Sequence, residues 1–396
     1  MMQGSEERGL ELSVVMPCLN ESDTLGICLE KAFRAIGEEG LAAEVIVADN
    51  GSTDRSIEIA EAAGARVVPV AEKGYGNALM GGIEAARGKY VIMGDADDSY
   101  DFLEIAKFVE KLRAGYDLVQ GCRLPGGGGT ILPGAMPFLH RVWGNPMFTM
   151  LVRTWFGAPI HDVYCGLRGF TKELYGKLEQ RCVGMEFATE MIIKSALYHK
   201  SYGVKIAEVP ITLHPDGRKA HAPHLRTFRD GWRTLRFFML YSPRWLYGLP
   251  GIGMGLIGGI LALLVFSGIR IGGVVFDAHT LLFASLFIIL GYQSLLFGAF
   301  TKVFAIGERL MPMDAKSAAL FRLFTLEKGA IVGLLVFLGG LGLLLGAVGQ
   351  WWKADFGPLD YAVTMRWVIP GVTLAALGFQ TVLASFFLSI LGMRRK

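Results

Sequence analysis

The sequence predicts an α/β domain on a mixed, mainly parallel sheet, followed by interfacial helices and a C-terminal region of four transmembrane helices. Three observations predict it. From residue 12 to about 217, short apolar runs alternate with helical patterns, which implies parallel strands with crossover helices. Acidic or polar motifs close several of the apolar runs. Four long uncharged stretches then occupy the C-terminal part.

Taken in order, the runs are Leu12-Ser13-Val14-Val15-Met16 ended by Pro17, Val45-Ile46-Val47-Ala48 ended by Asp49, and Arg66-Val67-Val68-Pro69-Val70. Tyr90-Val91-Ile92-Met93 and Leu118-Val119-Gln120-Gly121 follow. Helical patterns lie between them over residues 24–38, 54–63, 76–86 and 102–113. Ser22, Asp54 and Asp101 are expected as helix N-caps. In such sheets ligands bind at the carboxyl ends of the strands. Pro17, Asp49 and Asp95 all sit there, so their motifs are expected to converge in one crevice.

The uncharged stretches cover residues 246–269, 280–301 (within a helix to about 306), 329–352 and 367–393. Each is long enough to cross a hydrocarbon core, which needs about 20 apolar residues. Gly and Ala are frequent in them, among them Gly251, Gly253, Gly255, Gly258, Gly259, Gly339, Gly340, Gly342 and Gly346. Small residues let helix backbones approach closely, so helix packing is expected. Four crossings place both termini on one side. Arg309, Lys316, Arg322 and Lys328 in the middle loop, and the tail Arg394-Arg395-Lys396, carry the positive bias. The catalytic unit, the middle loop and the tail are therefore expected in the cytoplasm. Residues 225–247 mix Arg226, Arg229, Arg233, Arg236 and Arg244 with Phe228, Trp232, Phe237, Phe238, Trp245 and Tyr247. That mixture fits helices lying in the membrane interface, broken from the membrane proper at Pro243. The expected division is 1–224 catalytic, 225–247 interfacial and 248–396 transmembrane.

Composition agrees. With 396 residues, two units are expected. A mean hydropathy of +0.41 and 52% hydrophobic residues exclude a wholly soluble chain. The net charge of +3 predicts no nucleic-acid partner. Five scattered cysteines without a C-x-x-C pair argue against a zinc cluster or a disulfide framework, and fit a reducing cytosol. The first twelve residues are polar and acidic and show no secretory leader, so the N-terminal unit is expected to stay on the synthesis side.

Four motifs carry the chemistry: Pro17-Cys18-Leu19-Asn20-Glu21, Asp49-Asn50-Gly51-Ser52-Thr53-Asp54, Lys73-Gly74-Tyr75-Gly76-Asn77 and Asp95-Ala96-Asp97-Asp98. Together they read as a site for a nucleotide, a divalent metal and a sugar. Asp95 and Asp97, one residue apart at a strand end, can share a hard cation, Mg²⁺ or Mn²⁺, that bridges to phosphate oxygens. Asn20, Glu21 and Asp49 can accept N–H groups of a base. Lys73 can meet phosphate charge, and Gly74 and Gly76 would allow close backbone approach. Gly74-Tyr75-Gly76-Asn77-Ala78-Leu79 lacks a third glycine, which disfavours dinucleotide binding.

These residues resemble the GT-A family 2 glycosyltransferases, specifically the polyprenyl-phosphate hexose synthases of the dolichol-phosphate mannose and glucose type. The resemblance covers residues 12 to about 221 in motifs and the membrane part in layout. It implies that Pro17, Asn20, Glu21 and Asp49 hold the nucleoside and that Asp95 and Asp97 bind metal and diphosphate. The family often follows with Leu-Gln, the Gln a further metal ligand; here Asp98 and Ser99 stand there, and Ser99 would bind through its hydroxyl or a water. Gly121-Cys122-Arg123 resembles the family's Gly-Ser-Arg, and Asp162-Val163-Tyr164-Cys165-Gly166-Leu167-Arg168 its Asp-x-x-Ser-Gly-Phe-Arg. The resemblance makes Arg123 and Arg141 the candidates for the lipid phosphate. Glu190, closing Glu186-Phe187-Ala188-Thr189-Glu190, falls near the acceptor. Arg218 and Lys219 lie where the family has a basic loop that closes on the donor diphosphate. His221 and His224 remain unassigned.

The implied partners are a nucleotide sugar, a polyprenyl phosphate and a lipid bilayer of the cell inner membrane or ER, with self-association left open. A lipid phosphate is already an anion and attacks directly, which explains the lack of an evident general base and implies inversion. Processive polysaccharide synthases share the ladder but carry Gln-x-x-Arg-Trp and Thr-Glu-Asp. Here Tyr241 stands at the Gln position, and Met191 follows Thr189-Glu190. A membrane scaffold or transporter with a decayed transferase domain would be expected to have lost Asp95 and Asp97. It would also carry a buried ionisable pair in its crossings.

Overall fold

The computed structural model describes residues 9–218, 227–314, 317–319 and 325–393. Lys219, His221, His224, Arg226, Lys316, Arg322 and the tail Arg394-Arg395-Lys396 lie outside the described residues. The chain divides into two compact units, Met1–Phe238 and Met239–Lys396.

The first unit follows the alternation of the sequence. Its elements begin β1 (Leu12–Cys18), α1 (Leu25–Glu38), β2 (Ala43–Asp49), α2 (Ser56–Ala62), β3 (Arg66–Pro69), α3 (Tyr75–Ala85) and β4 (Tyr90–Met93). They continue with α4 (Ile105–Arg113), β5 (Leu118–Cys122), β6 (Thr130–Ile131), α5 (Asn145–Phe156) and β7 (Arg168–Thr171). Next come α6 (Lys172–Leu178), α7 (Glu186–Tyr202), β8 (Ile206–Pro210), β9 (Thr212–Leu213) and α8 (Thr227–Leu240). Seven strands form one sheet in the order β3-β2-β1-β4-β7-β5-β8. Only β7 runs against its neighbours β4 and β5. The sheet is thus mixed and mainly parallel, as expected.

Its strands are near-continuous apolar runs because both faces are covered. Val14 and Met16 of β1 face one core with Leu25, Cys28 and Leu29 of α1 and Phe108 and Leu112 of α4. Val15, pointing to the other face, meets Gly82 of α3. From β1 the chain steps outward through β2 and β3, then returns to place β4 on the other side of β1. The switch point between the β1 and β4 carboxyl ends opens the crevice where such folds bind ligands.

Three caps were expected, and one forms. Asp101 accepts the Leu103 N–H at 3.1 Å and starts a 3-10 turn, Phe102–Glu104, ahead of α4. Asp54 stands one residue ahead of the N-cap but accepts the Ser56 N–H that opens α2 at 3.0 Å, and it also accepts the Ser22 N–H at 3.0 Å, which ties the β1–α1 loop to the β2–α2 loop. Thr24 and Arg55 occupy the actual N-cap positions, without side-chain caps.

In the second unit, four described helices are long and apolar enough to cross a membrane: Arg244–Ser267, Ala278–Gly307, Leu326–Lys353 and Tyr361–Gly392. We label them α9 (Leu249–Ser267, entered through the turn Arg244–Gly248), α10, α11 and α12. Helix α8 ends before Pro243, as expected, and the first span begins at Arg244. Gly251 and Gly258 of α9 pack against the backbone of α10, where a Cβ would meet Gly291 O at 2.9 Å and Ala284 O at 2.7 Å. Gly333 and Gly340 of α11 meet the α12 backbone at Gly378, Val382, Gly371 and Ala375. Gly253, Gly259, Gly339, Gly342 and Gly346 face open space, so only part of the expected glycine set serves helix packing. Ser285–Thr373 and Tyr292–Thr381 hydroxyl pairs, at 2.7 and 2.6 Å, join α10 to α12. Such bonds add roughly 1 kcal/mol each in lipid.

Candidate active site

The loops after β1, β2 and β4 meet at the switch point and are knitted together. Asn20, at φ +59°, donates its N–H to Ser52 Oγ at 3.0 Å and accepts the Thr53 N–H at 2.8 Å. The Glu21 N–H donates to Ser56 Oγ at 2.9 Å. Asp49, paired in register with Cys18, turns its carboxylate onto the N–H groups of Gly51 and Ser52. Pro17 lies beside Ala48 in the same register. These bonds hold the loop carrying Asn20 and Glu21 in one shape.

The third motif closes on the same loops. Asn50 bonds the carbonyls of Val70 and Glu72 and accepts the Gly74 N–H at 2.8 Å. Lys73 Nζ donates to the Asn50 carbonyl at 2.5 Å. The space over Gly74 and Gly76 is filled by the chain itself. A Cβ on either would strike the backbone of Cys182 or Val183. The Gly76 N–H also donates to Val183 O at 2.9 Å. The close approach expected of a phosphate is made by residues 182–183.

Asp95 and Asp97 stand near one described cation, Arg218. Asp95 Oδ1 accepts from Tyr75 Oη at 2.8 Å. Burial, then the neighbouring Asp97 charge, pushes the Asp95 carboxyl up to about 6. Asp97 Oδ1 accepts from the Ser99 hydroxyl at 2.6 Å, so Ser99 buttresses Asp97. Arg218 donates to both oxygens of Glu21, at 2.8 and 2.6 Å, and stands 3.6 Å from Asp97 and 3.2 Å from Asp216. Burial opposes its charge, but these carboxylates raise its pKa further. Arg218 is delivered by a strap bonded to the acidic loop itself: His214 N–H to Ser99 O at 2.9 Å and Gly217 N–H to Asp97 O at 3.0 Å.

Among the described residues, Glu21 and Asp97 face Arg218 and Asp95 lies beside them, so three acids outnumber the one described cation. Among the described residues, no group of three or more His, Cys, Asp or Glu side chains gathers to hold a metal alone. Two strand-end carboxylates carrying excess negative charge fit a hard divalent ion whose remaining ligands are phosphate oxygens and water.

Arg123 and Glu190 sit in closed pairs. Arg123 grips Asp162 through Nε and Nη2 at 2.7 and 2.9 Å, with Asp162 fully buried. Burial works to raise the Asp162 carboxyl; the Arg123 charge and hydrogen bonds outweigh it and hold it below its ordinary value. Glu208 in turn fixes His161 and Asp162 by their N–H groups, at 2.7 and 3.1 Å. Buried Glu190 pairs with Lys194 at 2.8 Å and accepts the N–H groups of Arg181 and Cys182, both at 2.9 Å. Its carboxylate holds the loop that covers Gly74 and Gly76. Arg141 is exposed, on the turn His140–Gly144, whose neighbours Phe138 and Trp143 are 78% and 61% exposed.

Sequence reasoning assigned no role to Tyr75, Asp162, Lys194 or Glu208. Lys194 was the most findable, since it lies four residues beyond Glu190 on one helix face. Tyr75 and Asp162 lie within motifs already singled out, but their partners come from other strands.

The family model described as glycosyl transferase family 2 matches residues 13–178, and that described as the glycosyltransferase family 2 C-terminal transmembrane region matches residues 299–392. A low-salt glycan biosynthesis hexosyltransferase of Haloferax volcanii is 38% identical over 96% of this chain and 89% of its own length. A dolichyl-phosphate hexose transferase of the same organism is 35% identical over 56% of this chain and 89% of its own. Among solved structures, glucosyl-3-phosphoglycerate synthase from Mycobacterium tuberculosis, in complex with Mn²⁺, UDP and glucosyl-3-phosphoglycerate, aligns with a TM-score of 0.44 and 22% identity. That alignment covers 59% of this chain and 78% of that one. With a relative matched over nearly its whole length, and with both the catalytic domain and the membrane region recognised, the chain belongs to glycosyltransferase family 2.

Proposed function

We propose that this multi-pass membrane glycosyltransferase moves one hexose from a nucleotide sugar, UDP-glucose or GDP-mannose, to polyprenyl phosphate at the cytoplasmic face, with inversion. The observation that carries the donor half is the excess, among the described residues, of acid at Glu21, Asp95 and Asp97 over Arg218 at the sheet's switch point. Mg²⁺ or Mn²⁺ on Asp95 and Asp97, with Ser99 behind them, would neutralise the charge that builds on the leaving diphosphate. Pro17, Asn20, Glu21 and Asp49 line the nucleoside end. Lys73 and Arg218 supply positive charge on the donor side.

The acceptor half rests on two supports. A relative named for dolichyl-phosphate hexose transfer aligns along most of its own length. The exposed turn bearing Arg141 also presents Val142 and Trp143, with exposed Phe138 and Leu139 just ahead of it. A cation set in exposed apolar surface suits a phosphate on a lipid tail. Arg123, held by Asp162, is the second acceptor cation in this proposal. A phosphate oxygen attacks the anomeric carbon as its bond to the diphosphate breaks, and no protein nucleophile takes part. Residues 225–247 are read as the interfacial segment between domains 1–224 and 248–396. The cytoplasmic side rests on the Lys/Arg bias of the middle loop and tail. A cysteine added after Lys396 should resist an impermeant thiol reagent in intact cells, and labelling there would overturn the topology.

The test of function is a screen of radiolabelled UDP- and GDP-sugars with membranes and polyprenyl phosphate. A chloroform-soluble labelled product that depends on the lipid is expected. Label in long water-soluble polymer would favour a processive synthase.

A further inference from the structure

In the motif Lys73-Gly74-Tyr75-Gly76-Asn77, the residues after Lys73 are left without a ligand role once residues 182–183 fill the space over its glycines. We propose that Tyr75 is a positioning residue that holds the Asp95 carboxylate in place for a metal-bound nucleoside diphosphate; this rests on the function proposed above.

Tyr75 opens α3, and its hydroxyl donates to Asp95 Oδ1 at 2.8 Å. Oδ2 faces Gly166, where a Cβ would stand 2.7 Å away, so the carboxylate is boxed between a donor and a bare backbone. The Gly166 N–H is itself fixed on Tyr100 Oη at 2.8 Å. A free Asp95 side chain would turn away from Asp97, because the two like charges repel. The Tyr75 hydroxyl opposes that rotation.

The seat of Tyr75 is built from the rest of the motif. Gly76 and Asn77 donate their N–H groups to Val183 O, at 2.9 and 3.3 Å. The Gly74 N–H is fixed by Asn50 Oδ1. The loop that supplies Val183 is held by Glu190 through Arg181 and Cys182, and Lys194 closes that carboxylate while donating to the carbonyls of Leu178 and Glu179, at 2.9 and 2.8 Å. One line of contacts therefore runs from the buried Glu190–Lys194 pair through residues 181–183 to the first turn of α3, and from Tyr75 to Asp95. It gives the glycines and Glu190 a common purpose without a ligand touching either. An aliphatic residue at 75 would fill the space and supply no donor.

The test is calorimetric titration of the full-length protein in detergent with Mn²⁺ plus UDP and, in parallel, Mn²⁺ plus GDP. Tyr75→Phe removes only the hydroxyl. It should weaken binding of whichever nucleotide the unaltered protein takes by about tenfold to a hundredfold, the worth of one hydrogen bond to a charged group. Tyr198→Phe deletes a comparable hydroxyl that bonds Lys177 O at 3.0 Å, outside the site, and should leave affinity unchanged. Incorporating 4-aminophenylalanine at position 75 restores an N–H donor and should recover most of the loss. Thermal unfolding of the Phe variant should stay close to that of the parent, which separates positioning from support of the fold. Equal or tighter binding by Tyr75→Phe overturns the proposal, as does a loss that the amino analogue does not recover. If the unaltered protein binds Mn²⁺ with neither nucleotide, the donor-site reading fails and this inference with it.

Discussion

Among the described residues, Glu21 and Asp97 face one guanidinium with Asp95 beside them at the mouth of the sheet, whereas Arg123–Asp162 and Glu190–Lys194 are ion pairs closed in the interior. The residue types are the same, and the balance differs. In the closed pairs each carboxylate is held below its ordinary pKa by its cation, despite burial. In the open cluster burial and Asp97 push Asp95 up to about 6. A fold can keep a buried pair for its own architecture, as with Glu190–Lys194, or to aim its cation, as proposed for Arg123. Excess acid at a strand end costs stability, and under the proposed function a divalent cation would bring the missing positive charge.

That contrast can be broken by substitution. The largest effect is expected at the open cluster: Asp97→Asn should lower turnover by roughly three orders of magnitude or more, since a metal clamp supplies several kcal/mol of transition-state stabilisation. Its thermal unfolding should change little. Steady-state kinetics beside calorimetry would check both halves. Asp162→Asn should do the reverse in stability, costing roughly 3–5 kcal/mol because Arg123 is left buried and uncompensated. Glu21→Gln, in a partly exposed pair, should cost about 1 kcal/mol or less. Equal losses for these two in denaturant titrations would erase the distinction between open and closed groups.

A further effect is expected in pH, and its sign differs between the groups. Asp95 has a raised folded pKa, about 6 against 3.8, so it disfavours the metal-free fold above about pH 6 and that penalty disappears towards 3.8. Asp162 has a lowered folded pKa, so its contribution favours the fold above 3.8 and is lost as pH falls through its lowered value. Cation binding requires ionised Asp95, so Mn²⁺ affinity should fall by up to about tenfold per pH unit below 6. An affinity that stays flat down to pH 5 would remove Asp95 from the cation site.

Much of the fold was legible because its signals are local. Residues 45–48 and 90–93 are unbroken apolar runs and residues 12–16 are apolar but for Ser13, and all three form buried parallel strands. The four crossing helices were legible from length and hydropathy. The antiparallel β7 was not, because Arg168–Thr171 is short and sits within a segment already read as a motif. In the site, the acids at strand ends could be read from the sequence, but their partners could not. Arg123 finds Asp162 across 39 residues and Arg218 finds Glu21 across 197, distances set by topology. Gly74 and Gly76 show the same limit: the sequence signals a close approach, and only the fold reveals that residues 182–183 make it.

The central claim is transfer of one hexose to a lipid phosphate by direct displacement. The most direct measurement is the structure of the lipid product made from an α-linked nucleotide sugar. Mass spectrometry should show polyprenyl phosphate carrying a single hexose, and the anomeric coupling constants should show the β configuration. A ladder of longer saccharides, or an α-linked product, would contradict the account.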